Sequence, residues 1–241
     1  MNTAARLSAL LLAFAPFATP PAASATELPE VAVKTDLTFA SRYVYRGQQL
    51  ARASLQPSID LSGGDGYLGL WGNLPTGAGG QKNELNFYAG YNLPAETLGR
   101  GWKLDLGARQ YYFPQGYYTA GQNNSSTEGY LGFAGGTVGP GLTPTIYTAY
   151  DFTRQNYNVI ASLGAFVPAE KLGFALRFDL HAGYTGIHRG SDYTYWGAGV
   201  GVPYRIAGNA TLNLGAQYDS TDLNGARRNL VTWTAGLTVG F

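Results

Sequence analysis

The feature that most limits what this chain can become is its alternation. Segment after segment of about ten residues carries apolar side chains at every second position and closes on Gly, Pro, Asn or Asp, the pattern of β-strands joined by turns. The last segment is the clearest: Val231, Trp233, Ala235, Leu237, Val239 and Phe241 alternate with Thr232, Thr234, Gly236, Thr238 and Gly240. Successive side chains of a strand point to opposite faces. Phe174, Leu176, Phe178, Leu180 and Ala182 therefore share one face, and Arg177, Asp179 and His181 the other. Twelve segments are predicted, at 34–46, 54–61, 67–74, 84–93, 102–113, 127–135, 143–152, 156–167, 173–185, 192–202, 210–218 and 230–241.

A soluble β-sandwich shows the same alternation with its apolar face inward, so periodicity leaves two architectures open. Composition and connection lengths choose between them. The chain of 241 residues has 34 Gly, 18 Tyr and only 13% charged residues, against about a quarter in globular domains. Its mean hydropathy of -0.12 excludes a bundle of membrane-spanning helices, each of which needs about 20 apolar residues in a row. Alternate connections, at 93–99, 167–173 and 202–208, are short, with Pro stopping one strand and Gly releasing the next. The intervening ones, at 75–83, 114–126, 186–191 and 219–229, are polar and more variable. This two-ended asymmetry predicts an all-β fold: a transmembrane antiparallel up-and-down β-barrel of about 12 strands, with tight periplasmic turns and longer outer loops.

Residues 1–25 read as an export signal, with Arg6 as the positive start, an apolar run from Leu7 to Phe17 and a small-residue site at Ala23-Ser24-Ala25. The barrel domain is expected over 26–241. Removing the leader takes one cation and no acid, which leaves 15 of each sign. A neutral chain gives nucleic-acid binding no electrostatic support. The absence of cysteine excludes disulfides and thiol chemistry, and two histidines are scant material for a metal site; no cofactor is expected.

Ser41-Arg42-Tyr43-Val44-Tyr45-Arg46-Gly47, Leu55-Gln56-Pro57-Ser58-Ile59-Asp60 and Gly66-Tyr67-Leu68-Gly69-Leu70-Trp71-Gly72 resemble the N-terminal hallmark of the TorF-type porins, proteobacterial outer-membrane proteins. The resemblance covers about residues 37–93, with Ala53 and Ser54 in place of Pro-Ala and Asn73 in place of Ser. It implies a porin-like role and brings no catalytic residue with it. The C-terminus, with Thr234, Gly236, Val239 and Phe241, resembles the signal read by the barrel-assembly machinery.

In a membrane barrel the polar face points inward. The pore-lining candidates are Arg42, Arg46, Asp60, Glu84, Asp105, Arg109, Asp151, Arg177, Asp179 and His181, with Lys34, Asp36, Lys103 and Glu128 in the wider set. These charges either tune a water-filled pore or form a network that fills a narrow barrel. A hairpin folded symmetrically about Arg189 would set Arg177, Asp179 and His181 opposite Gly201, Gly199 and Gly197, and those glycines either make room for the charges or let the wall bend.

Tyr43, Tyr45, Trp71, Tyr91, Trp102, Tyr111, Tyr112, Trp196, Tyr204 and Trp233 are expected in interfacial girdles. Tyr111, Tyr112, Tyr117 and Tyr118 could instead form an outer ligand platform. Arg189, Arg227 and Arg228 are placed to meet lipopolysaccharide phosphates. A lipid hydrolase is disfavoured because His181 shares its face with Arg177 and Asp179, and His188 lacks a Ser and an acid beside it. The expected function is passive diffusion of small solutes across the outer membrane; the alternative is a closed structural or adhesive barrel whose outer loops bind a partner. Expected contacts are outer-membrane lipids and lipopolysaccharide, the assembly machinery and the solute itself.

Overall fold

The computed structural model describes residues 31–77, 82–94, 101–116, 124–136, 141–169 and 174–241. The expected leader lies outside them, as do Tyr117 and Tyr118. The strands are β1 (Ala32–Ala40), β2 (Tyr43–Tyr45), β3 (Gln48–Ala51), β4 (Ser54–Gly63), β5 (Gly66–Pro75), β6 (Glu84–Pro94), β7 (Lys103–Tyr112), β8 (Ser125–Ala134), β9 (Leu142–Asp151), β10 (Asn156–Ala169), β11 (Phe174–Gly186), β12 (Tyr193–Arg205), β13 (Ala210–Thr221) and β14 (Arg228–Gly240). Among the described residues no helix is long and apolar enough to cross a membrane.

Twelve of these strands form one closed antiparallel barrel in which each pairs with its neighbours in the chain, β4 follows β1, and β14 returns to β1. Leu37 lies opposite Leu237 on one side and Pro57 on the other. Closure leaves no free sheet edge, so backbone polar groups find partners without water. Strands of 9–14 residues also have the length that a tilted strand needs to cross a bilayer.

Polarity decides what surrounds the wall. Leu37, Leu68, Ile146, Leu180 and Trp233 point outward and are 52%, 53%, 54%, 57% and 62% exposed, whereas Glu84, Glu128 and Asp219 are each 2% exposed on the inner face. In water this arrangement would forfeit the hydrophobic term at every strand; in hydrocarbon it gains it.

The predicted first strand needs correction. It runs only to Ala40, where the Ser41 backbone N–H donates to the Trp233 carbonyl and the Trp233 N–H to Ser41 Oγ. Beyond that anchor the chain leaves the wall as the separate hairpin β2–β3. Arg46 (φ 51°) and Gly47 (φ 73°) form its turn, the two positive φ values of a tight hairpin connection.

Candidate functional site

The hairpin lies inside the outer half of the barrel. Going round the ring, its tip reaches β8, four places from β4, and β12, three places from β1, so it spans the lumen rather than lining one side. Arg46 Nη1 donates to Glu128 Oε2 at 2.7 Å, and the Arg46 guanidinium stacks over its neighbour Tyr45 at 4.7 Å. Tyr111 gives its proton to Glu128 Oε1 at 3.1 Å, which leaves Tyr45 as donor in the 2.6 Å bond between the two tyrosine hydroxyls. Tyr43 packs its ring 5.3 Å from Trp71 and donates to Glu84 Oε1 at 3.4 Å.

On the far side Gly47 meets Tyr195. A side chain at Gly47 would put its Cβ 2.5 Å from Tyr195 Cβ. Glycine is required there twice over, by the positive φ and by the close approach. Ile160, Tyr193 and Tyr195 form a buried cluster beside it, covered by Ile187 and Leu223 from the outer turns.

The inner half is built differently. Tyr88, Tyr67, Tyr130 and Tyr147 lie directly across from Gly69, Gly90, Gly107 and Gly132 on neighbouring strands. Each ring lies over a glycine where a methyl group would overlap it. With the rings flat against the wall, three hydroxyls gather on two acids: Tyr67 and Tyr147 donate to Asp105 at 2.6 and 2.5 Å, and Tyr88 donates to Asp60, while the Tyr130 hydroxyl pairs with that of Tyr67 at 2.6 Å. Lys34 approaches Asp60 at 3.7 Å.

The opposite wall, β11–β13, has the symmetric register, with Arg177, Asp179 and His181 facing Gly201, Gly199 and Gly197. A Cβ at Gly199 would overlap Asp179 Oδ1, and one at Gly197 would come within 2.5 Å of His181 Cε1. The glycines thus hold space for those side chains. His181 bridges two acids, with Nδ1 3.3 Å from Asp179 and Nε2 3.1 Å from Asp219. Among the described residues no cluster of three or more metal-ligating side chains occurs.

The other candidates fall as follows. Asp105, Arg109 and Glu84 face inward, and Arg109 Nη1 donates to the Tyr111 hydroxyl at 3.5 Å. Asp151 organises the outer β9–β10 turn: it accepts from the backbone N–H groups of Thr153 and Arg154, from Ser126 Oγ at 2.5 Å, and pairs with Arg154 at 3.2 Å. Arg42 is off the wall, in the link between β1 and β2.

The girdle divides. Tyr91, Tyr112, Trp196, Tyr204 and Trp233 are exposed on the outer face, and Trp102 stacks on Phe133 at 4.7 Å. Tyr43, Tyr45, Trp71 and Tyr111 instead belong to the interior packing: the hairpin carries Tyr43 and Tyr45 off the wall, and Trp71 and Tyr111 sit on the inner face of β5 and β7, against them. The tyrosine platform divides as well: Tyr111 is 4% and Tyr112 41% exposed, on opposite faces of β7, so adjacent residues cannot present one surface. Thr234, Gly236 and Val239 stand on the closing seam opposite Ala40, Thr38 and Thr35, and Phe241 donates its N–H to the Val33 carbonyl. Arg189, Arg227 and Arg228 are exposed at the outer rim, as is His188.

Residues 23–237 match a family described as bacterial protein of unknown function (Gcw_chp). The chain belongs to this family. Among solved structures it is similar to the KdgM porin in complex with disordered oligogalacturonate, with a TM-score of 0.57 and 11% identity over 87% of this chain and 99% of that one. The NanC porin is similar at a TM-score of 0.54 and 12% identity, over 85% of this chain and 98% of that one. At such identities the likeness is one of fold. No curated protein sequence is significantly similar to the chain.

Proposed function

We propose that the protein is an outer-membrane channel for small solutes whose outer half is closed, in this structure, by the β2–β3 hairpin. The observation that carries the reading is a closed barrel that is apolar outside and ionic inside, blocked by an inserted loop rather than by wall side chains alone. The loop is a separate two-stranded sheet that meets the wall through side chains, among them the Arg46–Glu128 ion pair, the Tyr45–Tyr111 hydroxyl pair, the Tyr43–Glu84 hydrogen bond and the Gly47–Tyr195 contact, and such an obstruction can be displaced. The TorF-type resemblance of residues 37–93 supports the same reading. An outer-membrane channel would be inserted by the assembly machinery through Thr234, Gly236, Val239 and Phe241, and Arg189, Arg227 and Arg228 would meet lipopolysaccharide phosphates.

A second reading, a permanently closed structural barrel, is favoured by the dense packing around Tyr43, Tyr111 and Tyr195, each less than 5% exposed. Planar-bilayer recording separates the two. The intact protein should pass current in rare, brief openings, and a variant with residues 43–51 replaced by a short Gly-Ser turn should show large, steady conductance steps. A folded but silent shortened variant would overturn the channel reading in favour of the structural one. Arg46→Ala, which keeps the loop length, serves the same comparison should the shortened barrel fail to fold.

A further inference from the structure

We infer that Arg177 is the recognition point for a small oxyanion, a carboxylate or phosphate group, in the inner half of the lumen. Among the described residues the eight inward carboxylates all have donors within the protein: Asp36 from Thr38 and Thr238, Asp60 from Tyr88, Glu84 from Asn86, Asp105 from Tyr67 and Tyr147, Glu128 from Arg46, Asp151 from Ser126, Asp179 from His181, and Asp219 from Gln217. Arg177 has no counterpart. Its Nε is sealed from solvent without an acceptor, and among the described residues no ion pair, hydrogen bond or ring contact reaches it.

The surroundings explain why it stays unpaired. Its cross-strand neighbours are Phe166 and Gly201, neither with an acceptor in its side chain. Asp179, two residues along on the same face, engages His181 instead, and Gln217 gives its amide protons to Asp219 at 2.9 and 3.0 Å. A notch lined by Arg177, Asp179, Gly199, Gly201 and Gln217 leaves space beside it. An uncompensated guanidinium withdrawn from bulk water is costly. Its planar fork of donors matches a carboxylate or phosphate better than a spherical halide.

The inference deepens the channel reading by naming a solute class, and rests on it for the route by which solute arrives. The test does not need current. The whole protein, labelled with [15N]arginine and folded in detergent, is titrated with sodium acetate, sodium phosphate and sodium chloride at matched ionic strength, and the Arg177 Nε–H signal is assigned by its loss in Arg177→Gln. A saturable shift with both oxyanions, and not with chloride, is expected; saturation with one alone supports the site and identifies its preference. Arg177→Lys, which keeps charge and loses the fork, should weaken the response of the remaining signals several-fold. The same unsaturated drift with all three salts overturns the inference. A saturable shift in a protein that is silent in bilayers would sink only the channel, and current without saturation would sink only the site.

Discussion

Arg46 and Glu128 meet at 2.7 Å across the lumen, one at the tip of a hairpin between the first two wall strands and the other on β8. Their side chains are 13% and 3% exposed, so the pair is shielded from the solvent screening that makes surface ion pairs weak. Breaking such a pair from one side costs about 3–5 kcal/mol, because the partner charge is left without compensation.

Glu128→Gln should therefore loosen the hairpin while the barrel stays closed. The natural chain has no cysteine, so Ala51→Cys, at a position 3% exposed on β3, offers a single thiol to follow. Its maleimide labelling should be slow in the otherwise native chain and at least about tenfold faster with Glu128→Gln, given that ion-pair energy. Equal rates would show that other contacts hold the hairpin.

Glycines under tyrosines should tolerate substitution less well than glycines beside acids. A Cβ at Gly107 would overlap the Tyr130 ring and come within 2.6 Å of the Ala89 carbonyl oxygen, which is backbone. At Gly199 the obstruction is the Asp179 carboxylate, the free end of a side chain that can swing into the lumen. Gly107→Ala should cost about 1–3 kcal/mol, the range for overpacking, and Gly199→Ala less. Urea unfolding of the reconstituted barrels measures the difference, and the reverse order would refute the account of the rings as fixed.

The outer turns should loosen in acid. Asp222 accepts from the Thr194 hydroxyl and N–H, both at 2.7 Å, and these bonds hold its carboxyl below the usual carboxylate range. The Tyr184 hydroxyl and the Ile187 N–H do the same for Asp192. A depressed folded value means that the stabilisation is present above the unfolded value of about 3.9 and is lost as pH falls through the lower folded one. Amide exchange at Thr194 and Ile187, corrected for its intrinsic rate, should speed up below about pH 4. Asp222→Asn should abolish that dependence at Thr194, and a pH-independent native chain would disprove the assignment.

Alternation made the wall legible, since a strand's facing depends only on parity. The Arg177, Asp179 and His181 register could be read because the β11–β12 turn centres on Arg189, which fixes the pairing once the turn is placed. The hairpin was hidden by the same rule that revealed the barrel: Tyr43 and Tyr45 continue the alternation of β1, and parity carries no sign that a chain has left the sheet. The only local hint was Gly47 after Arg46, a weak turn signal without the usual Asn or Asp. The tyrosine–glycine pairs were out of reach for another reason. Tyr67 and Gly90, or Gly107 and Tyr130, are about two dozen residues apart, and only the register makes them opposite.

The links on either side of the hairpin are two residues each, Ser41 and Arg42 before it and Arg52 and Ala53 after it. At about 3.3–3.6 Å per extended residue, each leash is roughly 7 Å long, and the first is pinned to β14 through Ser41. If the hairpin is displaced as the channel proposal requires, leashes this short would hold it at the rim like a trapdoor, attached beside the opening it uncovers.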